Sequence, residues 1–500
     1  MTATPTGQVP AQPQEQSSPG ARAGAQPSTR PSAQPGSRPG ATGTQAIWLL
    51  LGAAFVTILN ETVMGVALPH LTEDLGISLS AAQWTTTAFM LAMAVVIPTT
   101  GYLLQRFTTR QIFTLAMSLF TVGTLLGAVA PTFSLLLFAR VVQASGTAMM
   151  MPMLMTTIMA LIPADSRGRF MGRITIVMAV APALGPTVSG LILNTFSWRA
   201  LFWFVLPIAI VMLLIGLVRL PNIGETRKTP LDVLSIPLSA IGFGGLVYGF
   251  STIGSGGRIA EGGIVLAAGV IGLVLFVWRQ IVLQRADGAL LDLRVFRSRP
   301  FALSVSLVTI MMAAMFGTLI LLPIYLQNVL GLDPVTTGLT MLPGGLIMGL
   351  IAPLVGRLFD RFGPRPLVIP GAMLASAVLW ALTQLTEHTS PVLVTLAHVG
   401  LSLGLAFMMT PLMTSALGSL KPQLYSHGSA TVGAVQQVAG AIGTALFVTV
   451  LGMRSASSAA AGASEATASA DGIAFAFFLG AILSLFAVVG AWFVRRTPAA

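Results

Sequence analysis

Apolar stretches of about 20 residues recur from Ile47 almost to the end of the chain, and they constrain the fold more than any other feature. A stretch of this length crosses a hydrocarbon core about 30 Å thick as a single helix. We count fourteen of them, with the approximate bounds 46–68, 82–104, 111–130, 134–161, 170–194, 200–219, 233–254, 262–282, 301–328, 336–357, 366–386, 391–419, 429–452 and 472–494. The sequence therefore predicts an all-α integral membrane protein with fourteen spans.

The low content of charged residues supports this prediction. Only 8% of the 500 residues are charged and 54% are hydrophobic, whereas a soluble domain carries roughly 25% charged residues. So few charges cannot cover the surface of a soluble globule of this size. We therefore expect neither an enzyme nor a nucleic-acid-binding protein, despite the net charge of +11.

Two absences from the sequence narrow the chemistry further. The chain has no cysteine, which excludes disulfides, thiolate metal sites and thiol nucleophiles. Its two lysines are Lys228 and Lys421, and neither follows a glycine, so a Walker-type phosphate loop cannot form. We expect no metal and no cofactor, and no ATP hydrolysis by this chain through that motif.

The positive charges alternate between the two sides of the predicted spans. If the N-terminal tail is cytoplasmic, 22 of the 26 basic residues fall in inside segments. Arg199, Arg258 and Arg454 fall outside, and Arg140 falls within a span. This asymmetry is the positive-inside pattern of membrane proteins. It predicts that both termini face the cytoplasm.

Composition and span count together divide the chain into four parts. Residues 1–45 consist mainly of Pro, Gln, Ser, Gly, Ala and Thr, and we expect a disordered cytoplasmic tail because no face of this segment could be buried. We predict a six-helix bundle over 46–220, a linker with two extra transmembrane helices over 221–300, and a second six-helix bundle over 301–496.

Two segments of the first bundle have counterparts in the second. Residues 101–110 and 356–365 match at five of ten positions, at an offset of 255. Residues 146–151 resemble 404–409 at an offset of 258. Duplicated halves are typical of transporters that open alternately to each side of the membrane.

Several motifs resemble those of the major facilitator superfamily, and within it the fourteen-span drug:proton antiporters of the EmrB/QacA type. The resemblance covers about residues 46–495. Its most specific elements are the two Gly-x-Leu-x-x-Arg-Phe-x-x-Arg loops and the first-span sequence Leu-Asn-Glu-Thr-Val-Met-Gly-Val-Ala-Leu-Pro. The resemblance is further supported by residues 140–146 in the fourth span, residues 181–190 in the fifth span and residues 197–199 before the sixth span. The element 181–190 resembles the family's antiporter motif, which implies export.

The resemblance assigns roles in gating and conformational change to ten residues. They are Gly101, Arg106, Arg110, Gly356, Asp360, Arg361, Arg365, Gly185, Pro186 and Gly190. The chain departs from the family pattern at four positions. Gln105 stands where the family has an acid, Thr108 where it has glycine, Asn60 where many relatives have an acid, and Ala181 where it has glycine.

The few ionisable residues that lie deep within predicted spans indicate a proton-coupling site, without reference to any family. Glu61, Arg140 and His398 are the strongly ionisable residues placed deep within predicted spans, at a similar depth. A charge in hydrocarbon costs at least about 2.5–3.5 kcal/mol, so such groups normally face a partner or a water-filled path. In proteins that this chain resembles, spans one, four, nine and twelve line the central cavity, which would place the three groups face to face.

Each of these residues also has a structural interpretation. Glu61 and Arg140 could form a permanent ion pair, and His398 could be a packing histidine. The predicted substrate cavity includes Asn60, Gln143, Met150 and Met408. Gln143 lies one turn from Arg140, so its alternative role is to hold the orientation of that side chain. Methionines form deformable apolar walls, although they also fill gaps in ordinary packing.

The sequence thus predicts proton-coupled efflux of amphipathic drugs and other toxic compounds by alternating access. The expected partners are small amphipathic substrates, protons and the lipid bilayer, and we expect a monomer in a bacterial cytoplasmic membrane. The alternatives are an exporter of a specific metabolite or self-made antibiotic, and a membrane sensor or scaffold that does not transport. An ATP-driven permease subunit would need a separate nucleotide-binding partner.

Overall fold

The computed structural model describes residues 41–223, 226, 230–254 and 259–495. The predicted tail lies outside the described residues as far as position 40. The first helix begins at Ala41, ahead of the predicted boundary at 46. Seven of the basic residues used in the orientation argument also lie outside the described ranges: Arg22, Arg30, Arg38, Arg227, Lys228, Arg258 and Arg496.

Fourteen helices in the described ranges are long and apolar enough to cross a membrane, which confirms the predicted number of spans. They are α1 Ala41–Leu75, α2 Leu79–Arg106, α3 Thr109–Ala128, α4 Phe133–Leu161, α5 Arg167–Leu193, α6 Arg199–Arg219, α7 Ser235–Ile253, α8 Ile259–Leu283, α9 Arg299–Ile324, α10 Pro334–Phe362, α11 Arg365–Leu382, α12 Pro391–Gly418, α13 Tyr425–Ala460 and α14 Glu465–Ala491. Helix α7 contains a π-helical turn at Ala240–Gly244, and α9 continues as a π-helical turn at Tyr325–Val329.

The departure from the family pattern at Thr108 has a local structural reason. Thr108 lies in the extended region and is the N-cap of α3, where its side chain accepts a hydrogen bond from the Gln111 amide at 3.3 Å. Gln111 Oε1 in turn accepts from the Thr108 amide at 3.0 Å, which completes a capping box. At the corresponding position Gly363 has a φ of 81°, which favours glycine. The two loops therefore differ locally, since Thr108 begins α3 with a capping box and Gly363 ends α10 with a positive φ.

Most helices of α1–α6 pack on one another, and so do most of α9–α14. The two sets meet mainly along two pairs of helices, α2 with α13 and α5 with α10, with smaller contacts of α4 with α13 and of α5 with α12. At the repeat offset α2 corresponds to α10 and α5 to α13, so the two joints are equivalent under the duplication. Helices α7 and α8 pack on each other, and α7 also packs on α2 and α13 beside one of these joints.

Small residues account for the tight pairing of α7 with α8. A Cβ at Gly245 would lie 2.8 Å from Gly269 Cα, and one at Gly242 would lie 2.9 Å from Leu273 Cα. Such contacts are possible only where glycine lets two backbones approach closely. Gly242 and Gly245 are therefore packing residues.

The segment 197–199 closes the predicted outer end of the first helix set. Asp74 at the end of α1 accepts hydrogen bonds from Trp198 Nε1 at 2.9 Å and from Arg199 Nη1 at 2.7 Å. The same guanidinium donates from Nε and Nη2 to the Ala130 carbonyl at 3.2 and 3.0 Å. This network joins α1, the α3–α4 loop and the start of α6.

The internal repeat is visible in packing as well as in sequence. Gly146 places α4 against α3, since an added Cβ would lie 2.3 Å from the Ala116 carbonyl oxygen. Its counterpart Gly404 places α12 against α11, where an added Cβ would lie 2.8 Å from the Ala375 nitrogen. The same small residue thus makes the same helix contact in both halves.

We expect Gly146→Ala to destabilise the protein by about 1–3 kcal/mol, because the new methyl group would meet backbone atoms of α3 that no rotamer change can move. Melting of the purified protein, followed by size-exclusion chromatography after heating, measures the effect. Gly65→Ala in α1 is the matched control, since nothing lies within 4 Å of an added Cβ there. Equal melting temperatures for the two variants would contradict the prediction.

Candidate functional site

Arg140 on α4 is fully buried, with 0% of its surface exposed. Its Nη1 donates to Gln143 Oε1 at 2.7 Å, its Nε donates to the Thr85 carbonyl at 3.3 Å, and its guanidinium lies 4.1 Å from the centre of the Phe89 ring. Gln143 is held in turn by a 2.8 Å hydrogen bond from Nε2 to Thr124 Oγ1. A permanent cation is thus held rigidly among α2, α3 and α4.

The remaining nitrogen of this guanidinium has no hydrogen-bond partner. Arg140 Nη2 is buried and unpaired among the described residues, and an unsatisfied charged donor is costly. Glu61 on α1 is half-buried, and Arg140 is the charged group that acts on it. Within the described ranges the two side chains do not form an ion pair shorter than 4.0 Å. Arg140 therefore retains an unused donor within electrostatic range of a carboxylate that does not occupy it.

Asn60 directly precedes Glu61 on α1. It is 3% exposed, and its Nδ2 has no partner within the part of the chain that the structure describes. An amide donor without a partner near the acid–base pair is chemically suited to bind a polar group of a substrate. Its assignment to the substrate cavity stays a prediction.

Helix α5 packs against α1 immediately beyond Glu61. A Cβ at Gly185 would lie 2.1 Å from Thr62 Oγ1, and Ser189 Oγ donates to the Val63 carbonyl at 2.9 Å. Gly190 has nothing within 4 Å of an added Cβ, and Pro186 lies within α5. Of these motif residues, Gly185 and Ser189 are the ones whose contacts connect α5 to the helix that carries the acid.

His398 contacts α10 within the C-terminal set of helices. It lies on α12 against α10, where an added Cβ at Gly344 would meet His398 Nε2 at 2.6 Å. Its Nδ1 is buried and has no partner among the described residues. Face-to-face placement with Glu61 and Arg140 therefore stays a prediction.

The two methionines predicted to line the substrate cavity are both buried. Met150 and Met408 are each 1% exposed. Met408 packs against Gly371 of α11, since an added Cβ at that glycine would lie 3.1 Å from Met408 Cγ. It also lines a small apolar cavity among α9, α11, α12 and α14. Their role in the substrate cavity also stays a prediction.

The second repeat loop joins the two halves at the predicted cytoplasmic side. Asp360 at the end of α10 accepts hydrogen bonds from the Gly168 amide at 2.7 Å and the Arg169 amide at 2.9 Å. A carboxylate at the N-terminus of α5 also interacts favourably with the helix dipole. Gly356, one turn earlier on α10, lies so close that an added Cβ would be 2.2 Å from the Gly168 carbonyl oxygen.

The first repeat loop makes the equivalent contact between α2 and α13 with an uncharged side chain. Gln105, which stands where the family has an acid, donates from Nε2 to the Gln423 carbonyl at 2.8 Å. Gly101 lies against His427, because an added Cβ would be 2.8 Å from its Nδ1. The two joints are thus similar in position and different in electrostatics.

The basic residues of these loops contact their own halves. Arg110 donates to the Leu217 carbonyl, and its amide donates to Asn222 Oδ1 at 3.3 Å. The Arg361 guanidinium lies 5.0 Å from the Phe362 ring, and that of Arg365 lies 5.9 Å from the Trp492 ring. Arg106 is half-buried at the end of α2.

Three further polar contacts between the halves escaped the sequence analysis. Thr156 and Ser429 hydroxyls lie 2.8 Å apart, as do those of Thr175 and Thr410, and Arg167 donates to Tyr425 Oη at 3.2 Å. All lie towards the helix ends that carry the predicted cytoplasmic loops. Uncharged hydroxyls in apolar helices give no sequence signal, although Arg167 and Tyr425 are separated by the repeat offset of 258.

Comparison with known proteins places these features in a family. Residues 50–444 match the Major Facilitator Superfamily. The chain is 41% identical over 468 residues to the lincomycin resistance protein LmrB of Listeria monocytogenes, which covers 91% of this chain and 99% of that protein. It is 32% identical over 410 residues to the multidrug resistance protein B homolog of Mycobacterium tuberculosis, covering 80% and 74%.

The fold is also found among solved structures. The human organic anion transporter MFSD10 superposes with a TM-score of 0.63 at 16% identity, covering 88% of this chain and 99% of that one. The proton:xylose symporter XylE superposes with a TM-score of 0.62 at 16% identity, covering 91% and 98%. With fourteen apolar helices in the ranges that the structure describes, the chain belongs to the major facilitator superfamily and is a multi-pass transporter of the cell membrane, not an enzyme.

Proposed function

We propose that this transporter exports amphipathic drugs in exchange for protons, with Glu61 as the proton-binding group and Arg140 as the fixed charge that sets its affinity. One observation carries the proposal. Arg140 is buried and held by Thr85, Gln143 and Phe89, yet it keeps one donor unpaired among the described residues, and its charge acts on the half-buried Glu61 carboxylate without an ion pair closer than 4.0 Å. A permanently closed ion pair would leave no such donor.

The chemistry of coupling follows from this arrangement. Ionised Glu61 is attracted to Arg140 Nη2, whereas protonated Glu61 is neutral and is released from it. A substrate that competes for the carboxylate or for the space beside it favours one of the two states. Exchange requires such a difference in affinity between states.

The names of the relatives support the substrate class. The similar proteins from Listeria and Mycobacterium are named for lincomycin resistance and multidrug resistance. We extend to this chain the export of amphipathic compounds of that kind. The unpaired Asn60 amide and the buried methionines are the groups proposed to contact them.

We further propose alternating access by two bodies within a monomer, with the divisions at 220 and 300 predicted from sequence. The contacts of Asp360, Gln105 and Thr175 hold the halves together at the predicted cytoplasmic side. Opening to that side requires these contacts to break while α5 separates from α10 and α2 from α13.

The test is drug efflux from energised vesicles that contain the purified protein. We expect accumulation of a fluorescent cationic dye to follow an imposed proton gradient and to stop when an ionophore collapses it. Transport that continues without the gradient would overturn proton coupling. Saturable binding without any transport would favour a ligand sensor, and movement of one metabolite alone would favour a specific exporter.

A further inference from the structure

Three arginines lie together at the predicted cytoplasmic end of the α5–α10 joint. Arg169 and Arg173 are on α5, and Arg357 is on α10. The two backbones touch at this point, since a Cβ added at Gly356 would lie 3.1 Å from Arg169 Cα. The joint thus brings positive charges from both halves of the protein to one place.

Arg173 is surrounded by like charge. The charged groups that act on its guanidinium are Arg169 and Arg357. Within the described ranges, none of these three arginines forms an ion pair shorter than 4.0 Å, whereas Arg279 is paired with Asp232 at 2.7 Å. Like charges held together without a counter-ion repel one another. An anion beside these three side chains would therefore be bound favourably.

Two acids lie near this group, and they leave its charge positive. The Asp360 carboxylate accepts hydrogen bonds from the Gly168 and Arg169 amides at 2.7 and 2.9 Å, so it is already used at the N-terminus of α5. Asp165, which also acts on Asp360, is exposed and accepts a hydrogen bond from the Ser166 hydroxyl at 3.1 Å. Three guanidinium groups and two carboxylates leave one positive charge without a partner.

Two aromatic rings hold the Arg173 side chain in position. Its guanidinium lies 4.4 Å from the centre of the Phe170 ring on α5 and 5.0 Å from that of the Trp48 ring on α1. Trp48 is 52% exposed, as is typical of tryptophan at the boundary between membrane and water. Aromatic rings attract a cation without neutralising it. Arg173 is therefore positioned as a donor to an anion at this boundary.

An exposed apolar face of α10 leads from the arginines into the membrane. Leu354 and Leu350 precede Arg357 by three and seven residues, so they lie on its side of the helix. They are 49% and 76% exposed. A lipid fits this arrangement, with its phosphate at the arginines and an acyl chain along the leucines. A soluble phosphate would make the first of these contacts and not the second.

We propose that Arg169, Arg173 and Arg357 bind the phosphate of an anionic phospholipid from the cytoplasmic leaflet, and that the bound lipid holds the α5–α10 joint closed. Basic pockets between transmembrane helices on this side of a membrane bind anionic head groups. Without the lipid, repulsion between arginines of α5 and α10 opposes closure. Opening moves Arg357 away from the other two, so the closed joint binds the lipid more tightly. The lipid therefore disfavours opening towards the cytoplasm.

Closure of the joint can be measured without transport, because the chain has no cysteine. Thr175→Cys combined with Thr410→Cys places two thiols across the halves, where the native hydroxyls lie 2.8 Å apart. The rate of disulfide formation in a mild oxidant then reports the closed population. The purified protein is compared in nanodiscs of phosphatidylcholine alone, in nanodiscs that also contain phosphatidylglycerol, and in phosphatidylcholine nanodiscs with millimolar inorganic phosphate, at one pH and ionic strength.

We expect phosphatidylglycerol to accelerate disulfide formation about fivefold, the factor that corresponds to one arginine contact with an anionic membrane surface. Inorganic phosphate should leave the rate unchanged. A rate that does not depend on the lipid would overturn the proposal, and acceleration by phosphate alone would overturn the assignment to a lipid.

Arg357→Gln distinguishes an anion site from a structural role of the arginine. Arg357 is exposed, and its replacement removes the repulsion across the joint. In phosphatidylcholine the variant should form the disulfide about as fast as the native background does with phosphatidylglycerol, and added phosphatidylglycerol should have no further effect. Slow disulfide formation in both lipids would indicate a structural role and contradict the proposal.

The matched control is Arg219→Gln. Arg219 is an exposed arginine at the predicted cytoplasmic end of α6, a helix that packs on α1, α3 and α5. The variant removes one charge from the same side of the protein but not from the joint, so the fivefold effect should persist. Loss of the effect here would show that phosphatidylglycerol acts through surface charge in general, against a site at the joint. Because Glu61 takes no part in this assay, failure would leave the proton-coupling proposal unaffected.

Discussion

Replacement of Glu61 by glutamine is expected to reduce proton-driven efflux by about 100-fold, near the upper end of coupling free energies between two ligands. Glutamine keeps the size and polarity of the side chain but cannot bind and release a proton. The variant resembles permanently protonated Glu61, so Arg140 Nη2 no longer alternates between a free and an occupied state. Exchange of labelled for unlabelled substrate, which needs no proton movement, should persist.

The matched control is Glu73→Gln, because Glu73 is an exposed acid near the outer end of the same helix. It should leave both activities unchanged. Efflux driven by a gradient and exchange without one are measured in the same vesicles, with expression and monodispersity of each variant checked first. Full gradient-driven efflux by Glu61→Gln would show that protons couple elsewhere. Loss of exchange together with efflux would indicate a structural role for the carboxylate.

The sequence predicts well those features that depend on one helix at a time. Span number follows from the length of apolar stretches, and the equivalent positions of Gly101 and Gly356 follow from the repeat. Gln143 as a partner of Arg140 follows from its place one turn along the same helix, but the contacts of Arg140 with Thr85 and Phe89 could not be predicted, because the Thr85 carbonyl and the Phe89 ring carry no charge and lie on another helix. For the same reason, the rotation of α12 that places His398 against Gly344 depends on packing and not on a local pattern.

The departures from the family pattern show where sequence reasoning needs coordinates. Gln105 replaces an acid, yet it still contacts the start of the opposite helix, as a donor to the Gln423 carbonyl and not as an acceptor of amide hydrogens. Asp360 keeps the charged version of that contact. The two joints therefore differ in strength, since hydrogen bonds to an ionised group are about twice as strong as neutral ones. We infer that the α5–α10 joint dominates the stability of the cytoplasm-closed state.

Gly356 offers the most direct way to test this inference, because its contact is with backbone and not with a flexible side chain. An added Cβ would lie 2.2 Å from the Gly168 carbonyl oxygen, 2.7 Å from the Gly168 carbonyl carbon and 3.1 Å from Arg169 Cα. These atoms can move away only if α5 and α10 separate. Separation of these helices is the movement proposed for opening towards the cytoplasm, so the variant should disfavour the closed state and not the folded one.

We expect Gly356→Ala to reduce efflux by about 10- to 100-fold, since overpacking by one methyl group costs about 1–3 kcal/mol and shifts a two-state population accordingly. Closure can be read from disulfide formation between Thr175→Cys and Thr410→Cys, whose native hydroxyls lie 2.8 Å apart across the halves. This disulfide should form readily in the native background and slowly in Gly356→Ala. Gly338→Ala on the same helix, with nothing within 4 Å of its added Cβ, should change neither measurement. Rapid disulfide formation in Gly356→Ala would show that the joint tolerates the methyl group while closed, and the α5–α10 contact could not then be the element that limits transport.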